Sequence, residues 1–202
     1  MFEISKTMIQ SKINNFMQKL NIPSHGIYAE LYDGLKNGSL AYSKGSYFLG
    51  VYMGGIFISK DITLHIPQLT EEEFDFVITH ELSHIILRHY PTSIILELPN
   101  AILTSIKEDW AKITELGIDF IKLMLILKGN LPPKENIKKN QEIEADIQAV
   151  YLTYNKASAM SCLRKLAKGN IFCGSHHTKI FNTDFPILYF NERISAIEQL
   201  QL

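Results

Sequence analysis

The chain has 202 residues, of which 46% are hydrophobic and 20% are charged, and its formal net charge is −1. This composition is that of an ordinary globular protein and excludes a disordered one, and the near-zero charge offers no attraction to nucleic acid or to an anionic membrane. The two cysteines are too few for a disulfide framework in a fold of this size. We therefore expect residues 1–202 to form a single domain with a sizeable core.

The N-terminal segment, residues 1–22, predicts a helix. Its apolar residues form a loose helical stripe, and charged residues interrupt it too often for the apolar core of a signal peptide. The chain has no run of about 18 uncharged apolar residues that could span a membrane. We therefore expect a cytoplasmic protein, and contact with a membrane surface stays open.

Residues 26–66 predict a small sheet. Short β-rich runs alternate here with glycine-containing pairs such as Lys44-Gly45 and Gly54-Gly55, which are typical of turns. The candidate strands are Gly26–Tyr32, Ser39–Ser43, Ser46–Tyr52 and Gly55–Ser59. Strands so closely spaced predict an antiparallel or mixed sheet of three or four strands.

The remainder, residues 70–202, is mainly helical in pattern. Thr70 and Glu73 predict a capping box at the start of a helix that runs to about His89. One buried stripe of this helix is formed by Phe74, Ile78, Leu82 and Ile85. An apolar stretch, residues 92–130, follows and is expected to border a cleft.

Three later helices complete the predicted α+β fold. The first begins near Gln141 and runs to about Tyr154, after the polar segment 134–140. The second covers Ala157–Lys168 and is followed by Gly169-Asn170 as a C-terminal cap. Asn191 is a plausible N-cap for the last helix.

The strongest functional signal is the stretch from His80 to His84. Two histidines four residues apart on a helix project from one face, so both imidazoles can reach one metal ion. Glu81 would point to the place where a metal-bound water sits. This HExxH arrangement is typical of zinc-dependent hydrolases, which need a third protein ligand.

Glu142 is the strongest candidate for that third ligand. It shares a helix face with Asp146, so one carboxylate could bind the metal while the other fixes the tautomer of a ligand histidine. Glu144 points about 200° away and is expected to be solvated. The alternative, that these acids only favour the start of a helix through its dipole, is weaker because the His80–His84 motif precedes them.

The other histidines are weaker candidates. His89 lies five residues after His84, about 140° round a continuous helix, and is not expected to bind the metal. The pair His176-His177, close to Cys173, could bind a second metal, but adjacent histidines in a loop are more often solvated.

Three stretches together resemble the gluzincin metallopeptidases of the CAAX prenyl protease and HtpX type. They are the glycine-led strand Gly54–Ser59, the helix Thr79–His89 with HExxH and an Arg-His pair, and Glu142–Asp146, which fits an ExxAD motif in register. The cytosolic ImmA/IrrE type, which partners phage-type repressors, shares similar motifs.

The resemblance implies a zincin-like fold, a sheet followed by a helical half that carries one zinc ion. The zinc ligands that it implies are His80, His84 and Glu142. It implies Glu81 as the general base and Asp146 as a carboxylate that supports a ligand. Family members often receive the substrate as an added strand at the sheet edge, which would place a protein or peptide along residues 46–52 here.

The C-terminal part departs from that family. Members usually have a His-Pro pair and, six residues after the histidine, an arginine that opens a helix. Here Phe185 precedes Pro186, and Arg193 lies two residues too late. Stabilisation of the tetrahedral intermediate could therefore fall to His177, Tyr189 or Arg193. Arg193 could equally bind a carboxylate that supports a ligand, or form a surface salt bridge.

These patterns together predict a zinc-dependent endopeptidase that hydrolyses peptide bonds through a zinc-bound water activated by Glu81. Two alternatives stay open. One is a non-catalytic metal-binding relative that acts as a protein- or peptide-binding module. The other is a regulatory peptidase of the ImmA/IrrE type with one dedicated protein substrate.

Overall fold

The computed structural model describes residues 3–36, 39–48, 51–89, 134–169 and 185–201. Its elements in chain order are α1 (Lys6–Lys19), β1 (Ile27–Tyr32), β2 (Ala41–Phe48), β3 (Val51–Ser59), α2 (Ile62–His65), α3 (Glu71–Ile86), α4 (Lys134–Thr153), α5 (Lys156–Gly169) and α6 (Phe185–Glu198). The predicted α+β, zincin-like fold is confirmed. The apolar stretch 92–130, Cys173 and the His176-His177 pair lie outside the described residues.

The first helix forms where the apolar stripe predicts it. Ser5 caps α1 by accepting a hydrogen bond from the Met8 amide. Its buried side chains recur at helical spacing and are Ile9, Ile13, Phe16 and Met17. Among the described residues, no helix combines the length and the apolar character that a bilayer span requires.

The three strands form one mixed sheet in the order β1-β3-β2. β1 is parallel to β3, and β2 is antiparallel to β3. The prediction of separate strands at Ser39–Ser43 and Ser46–Tyr52 is wrong, because β2 runs without interruption from the first range into the second, and Val51 and Tyr52 belong to β3. The expected substrate strand 46–52 therefore spans the end of edge strand β2 and the start of central strand β3.

The glycines that suggested turns lie inside the paired strands. Gly45 of β2 stands opposite Gly54 of β3. A Cβ on Gly45 would come within 2.8 Å of Cγ2 of Ile85, so this glycine allows α3 to approach the sheet closely. A Cβ on Gly54 would meet the Lys44 carbonyl and lie 2.7 Å from the Gly45 Cα. These glycines serve close packing and do not form turns.

Gly54→Ala should lower the free energy of unfolding by about 1–3 kcal/mol, because the added methyl group meets backbone atoms that cannot rotate away. Urea denaturation of the purified protein would measure this loss. Lys6→Ala is a suitable control, since among the described residues it removes an exposed ion pair to Glu30 and should change the value by less than about 0.5 kcal/mol. Equal values for both variants would contradict the packing role.

The outer edge of β1 is covered by a side chain of α1. The Gln10 amide nitrogen donates to the Ile27 carbonyl over 3.0 Å, and the Ala29 amide donates to the Gln10 side-chain oxygen over 2.8 Å. One glutamine thus satisfies an outward-facing acceptor and an outward-facing donor of the strand, as a neighbouring strand would.

Helix α3 begins at the predicted capping box and is fixed there to α5. The Glu73 amide donates to the Thr70 hydroxyl, and the Thr70 amide donates to the Glu73 carboxylate. That carboxylate also accepts hydrogen bonds of 2.7 Å from Ser161 and from Lys165. Burial opposes ionisation of Glu73, but these donors outweigh it and lower its pKa. The four stripe residues Phe74, Ile78, Leu82 and Ile85 are all buried, as predicted.

Two later helices begin earlier than predicted. α4 starts at Lys134, so the polar segment 134–140 is helical. α6 starts at Phe185, which places Asn191 inside the helix and not at its N-cap. Pro186 is compatible with this start, because a first-turn residue needs no amide hydrogen for the helix. The chain thus brings α3, α4 and α6 together around the predicted site.

Candidate metal centre

The predicted metal ligands lie together. His80 and His84 of α3 and Glu142 of α4 each direct one donor atom into a common point, and these atoms lie within 4.8 Å of one another. His80 Nε2 is 3.1 Å from His84 Nε2. The Glu142 carboxylate oxygens lie 3.3 Å from His80 Nε2 and 3.4 Å from His84 Nε2. All three side chains are largely buried.

This donor set fits a metal ion. Two ligands bound at the usual zinc distances in a tetrahedral site stand about 3.4 Å apart. This is close to the separation of the two imidazole nitrogens and to that of each one from a Glu142 oxygen, Oε2 for His80 and Oε1 for His84. In addition, one Glu142 oxygen is buried without a hydrogen-bond partner among the described residues, although Arg193 approaches it to 3.4 Å. A cation at this point would satisfy that oxygen and both imidazole nitrogens.

His80 is held from behind by a buried ion pair. Its Nδ1 lies 2.8 Å from Asp146 Oδ1. Arg193 in turn donates two hydrogen bonds to Asp146, of 2.6 and 2.7 Å, and all three side chains are almost fully buried. Asp146 therefore contacts His80, a predicted ligand, through the ring nitrogen that does not face His84 and Glu142. Arg193 binds this carboxylate.

Burial and charge act in opposite directions on these groups. Burial alone would lower the pKa of His80, but hydrogen bonds and charges of Asp146 and Glu142 outweigh it and raise the pKa to about 10. Burial alone would raise the pKa of Asp146, but Arg193 and His80 outweigh it and lower that pKa. In the metal-free protein a proton on His80 thus competes with a metal ion for the same nitrogen.

Glu81 lies beside the ligands, and its carboxylate is fully buried. Neither of its oxygens meets a hydrogen-bond partner within the described ranges. Burial raises the pKa of this carboxyl group, and the positive charges of His80 and His84 oppose that rise. A buried carboxylate with a raised pKa next to a candidate metal site is suited to exchange protons with a water or a substrate.

His89 also belongs to the site, although helix geometry did not predict it. α3 ends at Ile86, and Arg88 adopts a left-handed backbone with φ of 59°. This turn brings His89 back, so that its Nδ1 lies 2.8 Å from His84 Nδ1. Burial beside His84 lowers the pKa of His89 to about 3. Glu144 is exposed, as predicted, but it also reaches His89 Nε2 at 3.2 Å.

The remaining predicted site residues lie in different places. Tyr189 of α6 is buried, and its ring centre is 5.4 Å from the Arg193 guanidinium carbon. Burial, with a smaller contribution from the charge of Glu142, raises the pKa of Tyr189. His177 lies outside the described residues, and the structure therefore does not place it. Phe185 is the first residue of α6.

Comparison with known proteins supports the geometry. A family model described as peptidase family M48 matches residues 3–200, nearly the whole chain. Neither the curated proteins nor the solved structures give a significant match. The matched span contains the HExxH helix and the ExxAD helix that meet at the metal centre. The chain therefore belongs to peptidase family M48 and is a metallopeptidase of that family.

Proposed function

We propose that the protein is a zinc-dependent endopeptidase. The observation that carries the proposal is the meeting of His80, His84 and Glu142 beside the buried Glu81. Two imidazoles and one carboxylate are a ligand set of catalytic zinc, which keeps a further coordination position open. When bound, zinc lowers the pKa of a water to about 7 and polarises a carbonyl.

Residues of the chain supply the proton transfers and hold the ligands. Glu81 accepts a proton from the attacking water and returns it to the leaving amine. The Asp146 carboxylate, 2.8 Å from Nδ1 of His80, favours a proton on that nitrogen, so that the opposite nitrogen is free to bind the metal. Arg193 fixes Asp146 in this orientation through its two hydrogen bonds.

We propose that an extended protein or peptide segment lies along the outer edge of β2. This strand has a single strand neighbour, β3, in the described part of the sheet. It also packs against α3, which carries the two ligand histidines. Main-chain hydrogen bonds to such an edge bind extended chains with little dependence on side-chain identity.

A binding module without turnover is the second candidate, and one observation favours it. Arg193, a predicted donor to the tetrahedral intermediate, is committed to Asp146 by two short hydrogen bonds. A peptidase of the ImmA/IrrE type would differ from both candidates in cleaving a single protein. Fragment patterns from whole cellular protein therefore separate the three.

Removal of a metal ligand tests the centre itself. The wild-type chain should contain one zinc ion by elemental analysis, and its peptide cleavage should disappear with a chelator and return with added zinc. Loss of a residue that hydrogen-bonds to a metal ligand usually weakens metal binding by about 10–100-fold. Glu142→Ala removes a proposed ligand itself and should weaken zinc binding by more than that. Glu198→Ala is a control, because the exposed side chain of this residue forms one ion pair in the described part of the chain, with Arg164 at 3.4 Å.

The ligand assignment has a clear contrary result. Zinc bound by Glu142→Ala as tightly as by the Glu198→Ala control would show that this carboxylate is not a ligand. A wild-type protein that binds zinc and peptides but never cleaves them would favour the binding module.

A further inference from the structure

The two nitrogens of His84 face different surroundings. Its Nε2 faces the point where the donor atoms of the three proposed ligands meet, which we call the metal point. It lies 3.1 Å from His80 Nε2 and 3.4 Å from a Glu142 oxygen. Its Nδ1, on the opposite side of the ring, lies 2.8 Å from Nδ1 of His89. His89 thus stands behind His84 and away from the metal point, which excludes it as a further ligand.

The protons in this chain of contacts can be assigned from its far end. The Glu144 carboxylate can only accept a hydrogen bond, so Nε2 of His89, at 3.2 Å, is the donor. A neutral imidazole that donates from Nε2 accepts at Nδ1. The hydrogen bond between the two rings therefore requires the proton on Nδ1 of His84. This leaves Nε2 of His84 with a free lone pair directed at the metal point.

The backbone places His89 for this contact. A continuous helix would carry His89 about 140° away from His84, but the left-handed turn at Arg88 redirects the chain. The Gln141 side chain of α4 contacts the His89 carbonyl at 3.5 Å. A left-handed backbone is uncommon outside glycine and persists where surrounding contacts favour it.

We propose that His89 and Glu144 are positioning residues that hold His84 in its metal-binding tautomer. The inference rests on the proposed function in one respect, namely that His84 binds zinc. It assigns to the second ligand histidine a support unlike that of the first. His80 is held by a buried carboxylate, whereas His84 is held by a second imidazole whose partner, Glu144, is 61% exposed.

Zinc affinity of matched variants tests this arrangement. His89→Phe removes the acceptor for His84 and should weaken zinc binding by about 10–100-fold. Glu144→Ala should weaken it less, since its partner is one step further away. Glu144→Gln removes the charge but keeps an acceptor oxygen, so its affinity should lie closer to the wild type than that of Glu144→Ala. Equal losses of zinc affinity in the two Glu144 variants would indicate that only the negative charge of Glu144 matters. This result would overturn the proposed positioning of His84 by hydrogen bonds.

Nitrogen-15 NMR of the histidine side chains supplies a readout that a merely structural role would not change. In the zinc-loaded wild type, His84 should carry its proton on Nδ1 and His89 on Nε2. The opposite tautomer of His89 would overturn the proposal, even if His89→Phe did not fold. Unchanged zinc affinity in His89→Phe and Glu144→Ala would overturn the positioning role of these two residues but not the proposed function. A wild type that binds no zinc would overturn both.

Discussion

Replacing Glu81 by glutamine should lower the rate of peptide cleavage by about 10²–10⁴-fold, the usual contribution of a general base, while the bound zinc remains. The side chain keeps its size, and the proposed ligands His80, His84 and Glu142 are not altered. The buried carboxylate, whose oxygens have no partner in the described part of the chain, is lost as a proton acceptor. Steady-state kinetics on an unstructured protein substrate, with zinc content measured in parallel, would show the separation.

The same substitution should leave the metal-free protein as stable as before or make it more stable. Burial raises the pKa of Glu81, so its ionised form is disfavoured in the folded chain at neutral pH. Glutamine removes this unfavourable charge, which is the usual trade between stability and activity at such sites. Cleavage unchanged in Glu81→Gln would refute the proteolytic mechanism, and loss of cleavage together with zinc would leave Glu81 as a structural residue.

Replacing Arg193 by methionine should lower the free energy of unfolding by about 3–5 kcal/mol, the usual cost of removing one partner of a buried ion pair. Arg193 is 2% exposed and forms two hydrogen bonds to Asp146, which would lose both of them and keep His80 as its remaining cationic neighbour among the described residues. Arg193 also lies 3.4 Å from a Glu142 oxygen. Urea denaturation of the metal-free protein would measure the loss.

Arg164→Met is the matched control for this prediction. Arg164 also pairs with a carboxylate, that of Glu198 at 3.4 Å, but both side chains are more than half exposed. Water and salt screen such a pair, so the change in free energy of unfolding should be below about 1 kcal/mol. A loss in Arg193→Met no larger than in this control would contradict the role of Arg193 as the anchor of Asp146.

Features that depend on local sequence could be predicted. The capping box of Thr70 and Glu73 needs only residues three apart and is present. The proximity of His80, His84 and Glu142 could also be predicted, although the two motifs are separated by more than fifty residues. The basis was chemical, because a zinc site needs a third ligand, and Glu142 and Asp146 share one helix face.

Features that depend on packing could not be predicted in the same way. Gly45 and Gly54 resemble turn residues along the chain, but the paired strands use them where backbone and helix approach closely. A helix that continued past Ile86 would carry His89 away from His84. The chain instead leaves the helix at Ile86, and the left-handed backbone of Arg88 brings His89 back toward His84. Neither outcome follows from local periodicity, since both depend on neighbours distant in sequence.

The glutamine of α1 that covers β1 makes the two edges of the sheet unequal in their capacity to accept a further strand. Gln10 already occupies the Ile27 acceptor and the Ala29 donor, so an extended chain that arrived at β1 would first have to displace it. No side chain of the described residues repeats this two-point contact at β2. If an extended chain binds as proposed, β2 would therefore be the edge that receives it, and Gln10 would disfavour strand addition at β1 by a substrate or by a second copy.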